Sequence, residues 1–193
     1  WYRVKPTGVL WLGWSISISK IVRVSKQSGS IEDDTYYLIE GGISNKLVRV
    51  GGSSSSREYA TENYHFWKIT YYTSSKRWEI IREDGTKYTY GESENAIEYA
   101  IRWGNWIGNS SRTSGQVQQE LSWSLSEIEN VYYNRIYFDY NKVENKVGST
   151  SGKYHTEASY LSNIRSDLGA EVDFIYSTKN SNEYYEPNIS QLE

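Results

Sequence analysis

Few residues of this chain have the types and spacing that enzymatic chemistry needs. Cysteine and methionine are absent from the 193 residues, so cysteine nucleophiles, zinc–thiolate sites and disulfides are excluded. The two histidines are His65 and His155, and each lacks a second histidine or an acid at ligand spacing on its own predicted strand. We therefore expect neither to be a metal ligand or a general base, and we interpret His65, beside Phe66 and Trp67, as a strand residue packed against aromatic rings.

Two short segments imitate nucleotide-binding loops without meeting their requirements. Residues 149–153 read S-T-S-G-K, but Val147 stands where a P-loop needs glycine, and Tyr154 follows the lysine where serine or threonine is required. Residues 104–108 read G-N-W-I-G and follow no βαβ pattern, which a dinucleotide-binding turn requires. The sequence therefore predicts no cofactor and no metal.

Paired carboxylates are the remaining catalytic candidates. A glycosidase needs two carboxyl groups on opposite sides of a cleft. The candidates here are Glu127 and Glu129, which flank one isoleucine, and Glu79 with Glu83 in the predicted hairpin 77–91. Glu-x-Glu also occurs in arginine-directed ADP-ribosyltransferases, which carry a Ser-Thr-Ser strand before it. Here that triplet comes afterwards, at residues 149–151. We therefore interpret these acids as solvated strand-face or turn residues and predict that the chain is not an enzyme.

The composition favours a structural or binding β protein. The net charge is −3, with 21 Lys and Arg against 24 Asp and Glu, and no basic stripe marks a nucleic-acid binder or a polybasic membrane anchor. No apolar run is long enough to span a bilayer. The 8 Trp and 19 Tyr against 3 Phe are typical of sheet surfaces where a ring packs on apolar neighbours and its polar tip reaches solvent. Exposed rings can stack on sugars, so Trp78, Trp103 and Trp106 are candidate glycan-stacking residues; the competing interpretation places Trp67, Trp78 and Trp123 in the core.

Alternation with a period of two dominates the chain. Residues 13–23 read G-W-S-I-S-I-S-K-I-V-R, so Trp14, Ile16 and Ile18 share one face of a predicted strand and serines share the other. The Asp84-Gly85 pair predicts a hairpin with both turn residues at positive φ. The predicted strands are 11–24, 35–40, 46–50, 64–73, 77–82, 86–91, 121–128, 131–140, 160–165 and 170–177. This pattern predicts an all-β fold, an antiparallel sheet that is curved or spiralling.

Other segments interrupt the alternation. Residues 92–103 have helical spacing, so at most one short helix is expected there. Flexible loops are predicted at 51–57, 104–119 and 142–153, and residues 179–193 read as a polar tail. Tyr-Tyr doublets begin at positions 36, 71, 132 and 184, and the first three are expected to place one ring on each face of a strand. The whole chain, 1–193, is interpreted as a single β-sheet module.

The order of the sequence blocks resembles that of the SpvB family, which includes the B components of insecticidal toxin complexes. Two departures stand out: Trp11 replaces the family's usual glycine, and residues 129–134 replace its Asp-x-x-Gly-Asn turn. The blocks that carry the resemblance are G-W-S-I-S-I-S-K-I-V-R at 13–23, D-D-T-Y-Y-L at 33–38, K-L-V-R-V at 46–50, W-E-I-I-R-E-D-G-T-K-Y-T-Y-G at 78–91, the strand pair within 123–140, and Y-L-S-N-I-R with V-D-F-I-Y at 160–165 and 172–176.

The resemblance implies a non-catalytic role. In that family this region is the first part of a β-sheet shell around a separate C-terminal toxin domain, so the chain is expected to be a secreted shell module and a fragment of a larger protein. Its expected partners are the rest of the same polypeptide or a toxin-complex subunit, together with the enclosed toxin domain. Open sheet edges, and association of the isolated chain, are also expected. The alternative is a secreted aromatic-rich β module that binds carbohydrate; sequons at Asn109 and Asn188 are too common by chance to decide.

Overall fold

The fold is built almost entirely from antiparallel strands. The computed structural model describes residues 16–25, 34–63, 65–103, 106–107, 111–112, 116–147 and 152–176. The strands are β1 (Lys20–Val24), β2 (Thr35–Glu40), β3 (Ile43–Gly52), β4 (Ser56–Thr61), β5 (Lys68–Tyr72), β6 (Arg77–Ile81), β7 (Lys87–Tyr90), β8 (Ile97–Trp103), β9 (Trp106–Ile107), β10 (Ser111–Arg112), β11 (Gln116–Glu129), β12 (Arg135–Val147), β13 (Lys153–Ser166) and β14 (Glu171–Asp173). A single 3₁₀ turn spans Glu94–Ala96. The predicted all-β antiparallel class is confirmed.

Eight of the strands close into an antiparallel barrel. Strands β1 to β7 pair in sequence order, β7 pairs with β11, and β11 pairs back to β1. Closure leaves the barrel strands without a free edge, which an open sheet of the same strands would expose. Strands β9 and β10 pair with each other in a separate two-stranded sheet.

Strand β11 belongs to the barrel and to a second sheet at the same time. Its first part pairs with β8 and its last part with β7, while its other edge carries β1 and then β12. The sheet continues from β12 through β13 to β14. Strand β13 also approaches β8, where the Tyr99 backbone N–H donates to Thr156 Oγ1 at 2.9 Å. We call the end of β11 together with β12, β13 and β14 the extension sheet.

Aromatic rings fill the barrel interior. Trp78 and Trp123 are fully buried, and their ring centroids lie 5.8 Å apart in an edge-to-face arrangement. Tyr36 lies 5.0 Å and Tyr71 lies 4.7 Å from the Trp78 ring. An eight-stranded barrel is just wide enough for side chains to fill, so this interior is a packed core. The aliphatic members of that core include Ile21, Leu38, Ile69 and Ile80.

A smaller core joins the extension sheet to the barrel. Ala96, Tyr140 and Leu161 are its buried members, and Ile18 packs against both cores. The Tyr140 hydroxyl donates to the Leu125 carbonyl at 2.7 Å. That hydrogen bond satisfies the only polar atom of a buried tyrosine ring, as burial of tyrosine requires.

The opening strand buries a different set of residues from the predicted one. The described part shows Ser19, Ile21 and Arg23 facing inward, and Ser19 Oγ lies 3.0 Å from the Tyr90 hydroxyl. The apolar alternation changes phase at Lys20, so one of the serine-face residues enters the core. Residues 11–15 lie outside the described residues.

The expectation of at most one short helix within 92–103 is confirmed, since only the 3₁₀ turn Glu94–Ala96 is helical there. The structure has the 3₁₀ turn followed by β8, in which Ile97 and Tyr99 are buried alternately against β11. Ala96 is buried through the turn, in the smaller core, which is why two adjacent buried residues imitated a helical face. The long pairing with β11 outweighs the weak local preference of the segment.

The Asp84-Gly85 hairpin between β6 and β7 is confirmed, but its turn type differs. Only Gly85 has a positive φ there, at 80°. The Gly85 N–H donates to the Arg82 carbonyl at 3.0 Å, and the Arg82 N–H donates to Thr86 at 3.0 Å, which is the pattern of a three-residue hairpin loop that ends in a left-handed glycine. The predicted two-residue turn therefore gains one residue.

The predicted strand boundaries shift both ways: the strands predicted at 64–73 and 170–177 shorten to β5 and β14, while others lengthen. Strands β3 and β4 extend into the predicted loop 51–57, β11 begins inside 104–119, and β12 and β13 extend into 142–153. Polar residues extend β3, β4, β11, β12 and β13 because their backbone N–H and C=O groups pair with a neighbouring strand. The tail 179–193 lies outside the described residues.

The tyrosine doublets behave as predicted only where they lie in strands. Tyr36 and Tyr71 are buried, whereas the residue after each is partly exposed. The doublet at 132–133 lies in the turn between β11 and β12, and both of its rings are exposed. A turn does not alternate its side chains between two faces, so the prediction is wrong there. The doublet at 184 lies outside the described residues.

Candidate interaction surface

A buried charge cluster occupies one end of the barrel. Arg23 Nη2 donates to the Tyr36 hydroxyl at 3.0 Å, and the guanidinium lies 3.5 Å from Glu120 and 3.9 Å from Asp34. Lys76 Nζ lies 2.8 Å from the other oxygen of Glu120. Two cations thus face two carboxylates, and these charges stabilise one another inside the fold.

The protonation behaviour of this cluster indicates a structural role. Burial alone would raise the pKa of Glu120. The hydrogen bond from Lys76 and the charges of Lys76 and Arg23 together outweigh burial, so the pKa lies below the ordinary 4.5. Burial likewise opposes the charge of Arg23, yet its neighbours raise its pKa. A general acid or base works best with a pKa near the operating pH, and this carboxylate is moved away from it.

The Glu127 and Glu129 pair is held by basic side chains. Lys87 Nζ lies 2.8 Å from Glu129, which also accepts from Arg135, and Glu127 lies 3.8 Å from the same guanidinium. The hydrogen bond from Lys87, with that from Arg135, lowers the pKa of Glu129 below 4.5. Glu129 is buried rather than solvated as predicted, because two cations cover it.

The acids of the predicted β6–β7 hairpin lie on a strand and in its turn. Glu79 is opposite Thr89 in the register of β6 and β7, and Glu83 accepts a hydrogen bond from Trp67 Nε1 at 3.0 Å. His65 stacks on one face of Trp67, with ring centroids 4.6 Å apart, while Arg82 lies 4.9 Å over that ring. Within the described ranges, no group of three or more His, Asp and Glu residues could hold a metal ion.

The predicted glycan-stacking tryptophans are not brought together by the described structure. Trp78 has 0% exposure, so the prediction of a sugar platform at this residue is wrong: a ring enclosed by the barrel offers no face to a ligand. Trp103 ends β8 and Trp106 begins β9, and their side chains lie outside what the structure describes. For those two residues glycan stacking stays a prediction.

The extension sheet separates its charged and apolar side chains onto opposite faces. Arg165 lies opposite Tyr137 on β12 and Glu171 on β14, so these three share a face. On that face the Arg165 guanidinium is 3.2 Å from Asp139 and 4.3 Å from the Tyr137 ring centroid. Asn163 donates to Glu171 at 2.8 Å and, from the same amide nitrogen, to Asp173 at 2.7 Å.

The other face of the extension sheet is apolar and incompletely covered. Ile128 lies opposite Ile136, and Ile164 lies opposite Val172. Ile164 packs into the smaller core, whereas Ile136 is 40%, Val172 54% and Leu168 76% exposed. A pocket of about 210 Å³ is lined by Ile128, Ile136, Leu168, Ser166 and the adjoining polar residues of the β11–β12 turn. We call Ile136, Leu168, Val172 and this pocket the open apolar end.

The β11–β12 turn adds two tyrosines beside the open apolar end. Asn130 Oδ1 accepts from the backbone N–H of Tyr132 at 2.9 Å and of Asn134 at 3.1 Å, which holds the turn. Tyr133 has a φ of 66°, a left-handed conformation that costs a residue with a side chain about 1 kcal/mol or more. Both rings nevertheless point into solvent, so burial of the rings does not explain the strain.

Strand β14 forms the edge of the extension sheet. It pairs with β13 and with no other described strand. Glu171 and Asp173 belong to the charged face and Val172 to the apolar face. The sequence predicted a strand over 170–177 but carried no signal for its missing neighbour.

Comparison with known proteins gives similarity at the level of structure. No protein-family model matches the sequence, and no curated protein matches it. The N-terminal domain of the effector protein SpvB from Salmonella typhimurium strain LT2 superposes with a TM-score of 0.54 at 15% identity, over 89% of this chain and 57% of that one. The chain shares the fold of the SpvB N-terminal domain.

The same SpvB-like fold lies within toxin-complex structures. A chain of the TcdB2–TccC3–Cdc42 structure matches with a TM-score of 0.52 at 20% identity, over 84% of this chain and 8% of that one. A chain of the Photorhabdus luminescens Tc holotoxin pore gives 0.54 at 19%, over 83% and 8%. These similarities confirm the resemblance that the order of the sequence blocks predicted, as a resemblance of fold. The described residues contain no helix long and apolar enough to cross a membrane.

Proposed function

We propose that this chain is a non-catalytic wall module of a secreted toxin-delivery protein of the SpvB and toxin-complex type, and that it helps to enclose a toxin domain. Its partners would be the remainder of the same polypeptide or a toxin-complex subunit, and the enclosed domain. The observation that carries the proposal is the scale of the similarity. The SpvB-like fold matches most of this chain but only 8% of each large toxin-complex chain, as expected of one module within a larger assembly.

The physical character of the module supports that role. The barrel interior is filled by Trp78, Trp123 and their neighbours, so this core stabilises a scaffold and offers a ligand nothing but the outer surface. The Glu127 and Glu129 pair is engaged by Lys87 and Arg135, and the buried Glu120 by Lys76. Among the described residues, an apolar surface and a strand edge remain uncovered, which are features of a protein that continues into a neighbouring layer.

The size of the source protein is the first test. An antibody raised against this segment should detect, in extracts of its source, a product several times larger than the 22.4 kDa of this chain. Intact-mass measurement of the immunoprecipitated product should give the same result. A product of 22.4 kDa would contradict a wall module, because a single module cannot enclose another domain.

Protease protection tests the enclosing role itself. The full source protein should protect its C-terminal segment from added protease, and Trp123→Ala should abolish that protection, because it removes a ring at the centre of the barrel. Val50→Thr is the matched control, since Val50 lies on the outside of the barrel and is 63% exposed. Equal cleavage of the C-terminal segment in all three proteins would show that the module encloses nothing.

A further inference from the structure

We propose that the open edge of β14 accepts a strand with alternating basic and apolar side chains, supplied by a neighbouring segment of the wall. The inference rests on the proposed wall function and names the chemistry of the contact. Three observations carry it: a backbone edge that faces no described strand, two acids that form no ion pair with another described residue, and an apolar surface on the opposite face.

The backbone of β14 is prepared for strand addition. One edge is bonded to β13 through the Asn163–Asp173, Ile164–Val172 and Arg165–Glu171 pairs, and the Phe174 N–H continues that ladder to the Ser162 carbonyl at 2.9 Å. The other edge faces no described strand. Its N–H and C=O groups can therefore form main-chain hydrogen bonds with an added strand, which is how peptides bind at exposed sheet edges.

The charges along this edge are unbalanced. Glu171 and Asp173 lie on the same face and share the neutral amide of Asn163. The cation nearest in register, Arg165, is engaged by Asp139 and the Tyr137 ring. Neither Glu171 nor Asp173 makes an ion pair with another residue that the structure describes. An added strand would thus meet two negative charges that form no ion pair with another described residue.

Register then selects the incoming side chains. Residues directly opposite each other on paired strands share a face and interact, and opposite charges there are favourable. Basic side chains belong opposite Glu171 and Asp173, and an apolar one opposite Val172, on the face that carries the open apolar end.

The same charges disfavour a second copy of the chain. Antiparallel pairing of two β14 strands about Val172 would place Glu171 of each copy opposite Asp173 of the other. Like charges directly opposite are destabilising, so the edge is guarded against itself while it stays open to a basic strand. The like charges therefore disfavour edge-to-edge dimerisation through β14, which an open strand edge otherwise favours.

A peptide titration tests the selectivity. The 193-residue chain is titrated with a short blocked peptide of alternating lysine and valine, and with a matched peptide of glutamate and valine, while backbone amide shifts are followed by NMR. We expect the lysine peptide to bind about tenfold more tightly, with shifts centred on Glu171–Asp173 and with the preference falling as salt rises. Because Arg3, Val4 and Lys5 spell the same pattern within the chain, the titration is repeated with Arg3→Gln and Lys5→Gln to remove an internal competitor.

Charge reversal gives the decisive control. Glu171→Lys with Asp173→Lys should reverse the preference toward the glutamate peptide. Glu58→Lys with Glu62→Lys makes the same net change on exposed positions of the barrel, outside the extension sheet, and should leave the preference intact. Equal binding of both peptides, shifts centred elsewhere, or reversal by the barrel variant would overturn the proposal.

Failure of this titration would be distinguishable from failure of the wall function. If the peptides bind without selectivity but the source product is large and protects its C-terminal segment, only the choice of strand is wrong. If the source product has the mass of this chain, the wall function fails whatever the peptides do. A wild-type dimer whose amide shifts map to β14 would instead show that a second copy occupies the edge.

Discussion

Replacing Arg23 by methionine tests whether the buried charge cluster holds the barrel together. Methionine keeps the length and the apolar stem of the side chain but removes the guanidinium. That group donates to Tyr36 at 3.0 Å and faces Glu120 and Asp34 at 3.5 and 3.9 Å. The Asp34 side chain is fully buried, and the substitution removes the guanidinium that faces it.

The expected cost follows from what remains after the substitution. Removing one partner of a buried ion pair destabilises a protein by about 3–5 kcal/mol. Lys76 still contacts Glu120 at 2.8 Å, which places the expectation at the lower end, about 3 kcal/mol. For a chain of 193 residues each kcal/mol shifts the unfolding temperature by about 2–4 °C, so the midpoint should fall by roughly 9 °C.

Urea unfolding followed by tryptophan fluorescence measures this loss, because Trp78 and Trp123 move from a dry core into water. The double variant Arg23→Met with Asp34→Asn should recover at least about 1 kcal/mol, since it also removes the carboxylate that faced the guanidinium. Arg49→Met on the exposed side of β3 is the matched control and should stay within about 0.5 kcal/mol of the parent. If Arg23→Met were equally mild, or if Asp34→Asn restored nothing, the cluster would not stabilise the barrel as argued.

Three further perturbations test separate parts of the fold. Trp123→Ala, at a fully buried ring, should cost about 3–5 kcal/mol in urea unfolding, and an intact near-UV circular dichroism spectrum with a loss under 1 kcal/mol would contradict the core assignment. The folded pKa values of Glu120 and Glu129 lie below 4.5, so the stability that these two carboxylates contribute is present above pH 4.5 and is lost as the pH falls through the folded values. Glu120→Gln should therefore make the free energy of unfolding less dependent on pH in the acid range. An unchanged pH dependence in that range would contradict the ion-pair role of Glu120. Tyr133→Asn should raise stability by up to about 1 kcal/mol, since asparagine tolerates the left-handed φ of 66° better than tyrosine does; a loss of stability would show that the exposed ring contributes packing.

Local chemistry predicted much of the secondary structure, and non-local pairing decided the rest. Asp84-Gly85 fixed its hairpin because only a few residues are involved. The helical spacing of 92–103 gives only the 3₁₀ turn, because the rest of that segment is β8, which is defined by its pairing with β11. Closure of the barrel depends on contacts such as that between Arg23 and Glu120, 97 residues apart, and alternation within single strands carries no information about them.

Alternation also cannot tell the inside of a closed barrel from its outside. It groups Trp78 with Ile80 on one face of β6, but only the closed sheet shows that this face is the interior and excludes sugar stacking at Trp78. The phase change at Lys20 puts Ser19 inward for the same reason: its hydroxyl meets the Tyr90 hydroxyl at 3.0 Å, a partner that the local sequence does not reveal.

The distribution of charge is the feature that best separates scaffold from contact surface in this chain. In the barrel, buried or half-buried acids such as Glu120 and Glu129 face lysine or arginine within ion-pair distance, because an unpaired charge there would cost several kcal/mol. At β14 the acids are exposed and form no ion pair with another described residue, which costs little in solvent and disfavours self-pairing. Such an arrangement stabilises the module alone and reserves one edge for a strand of opposite charge. If the wall function holds, the neighbouring layer should therefore be recognisable in the source protein by basic residues at alternate positions of a strand.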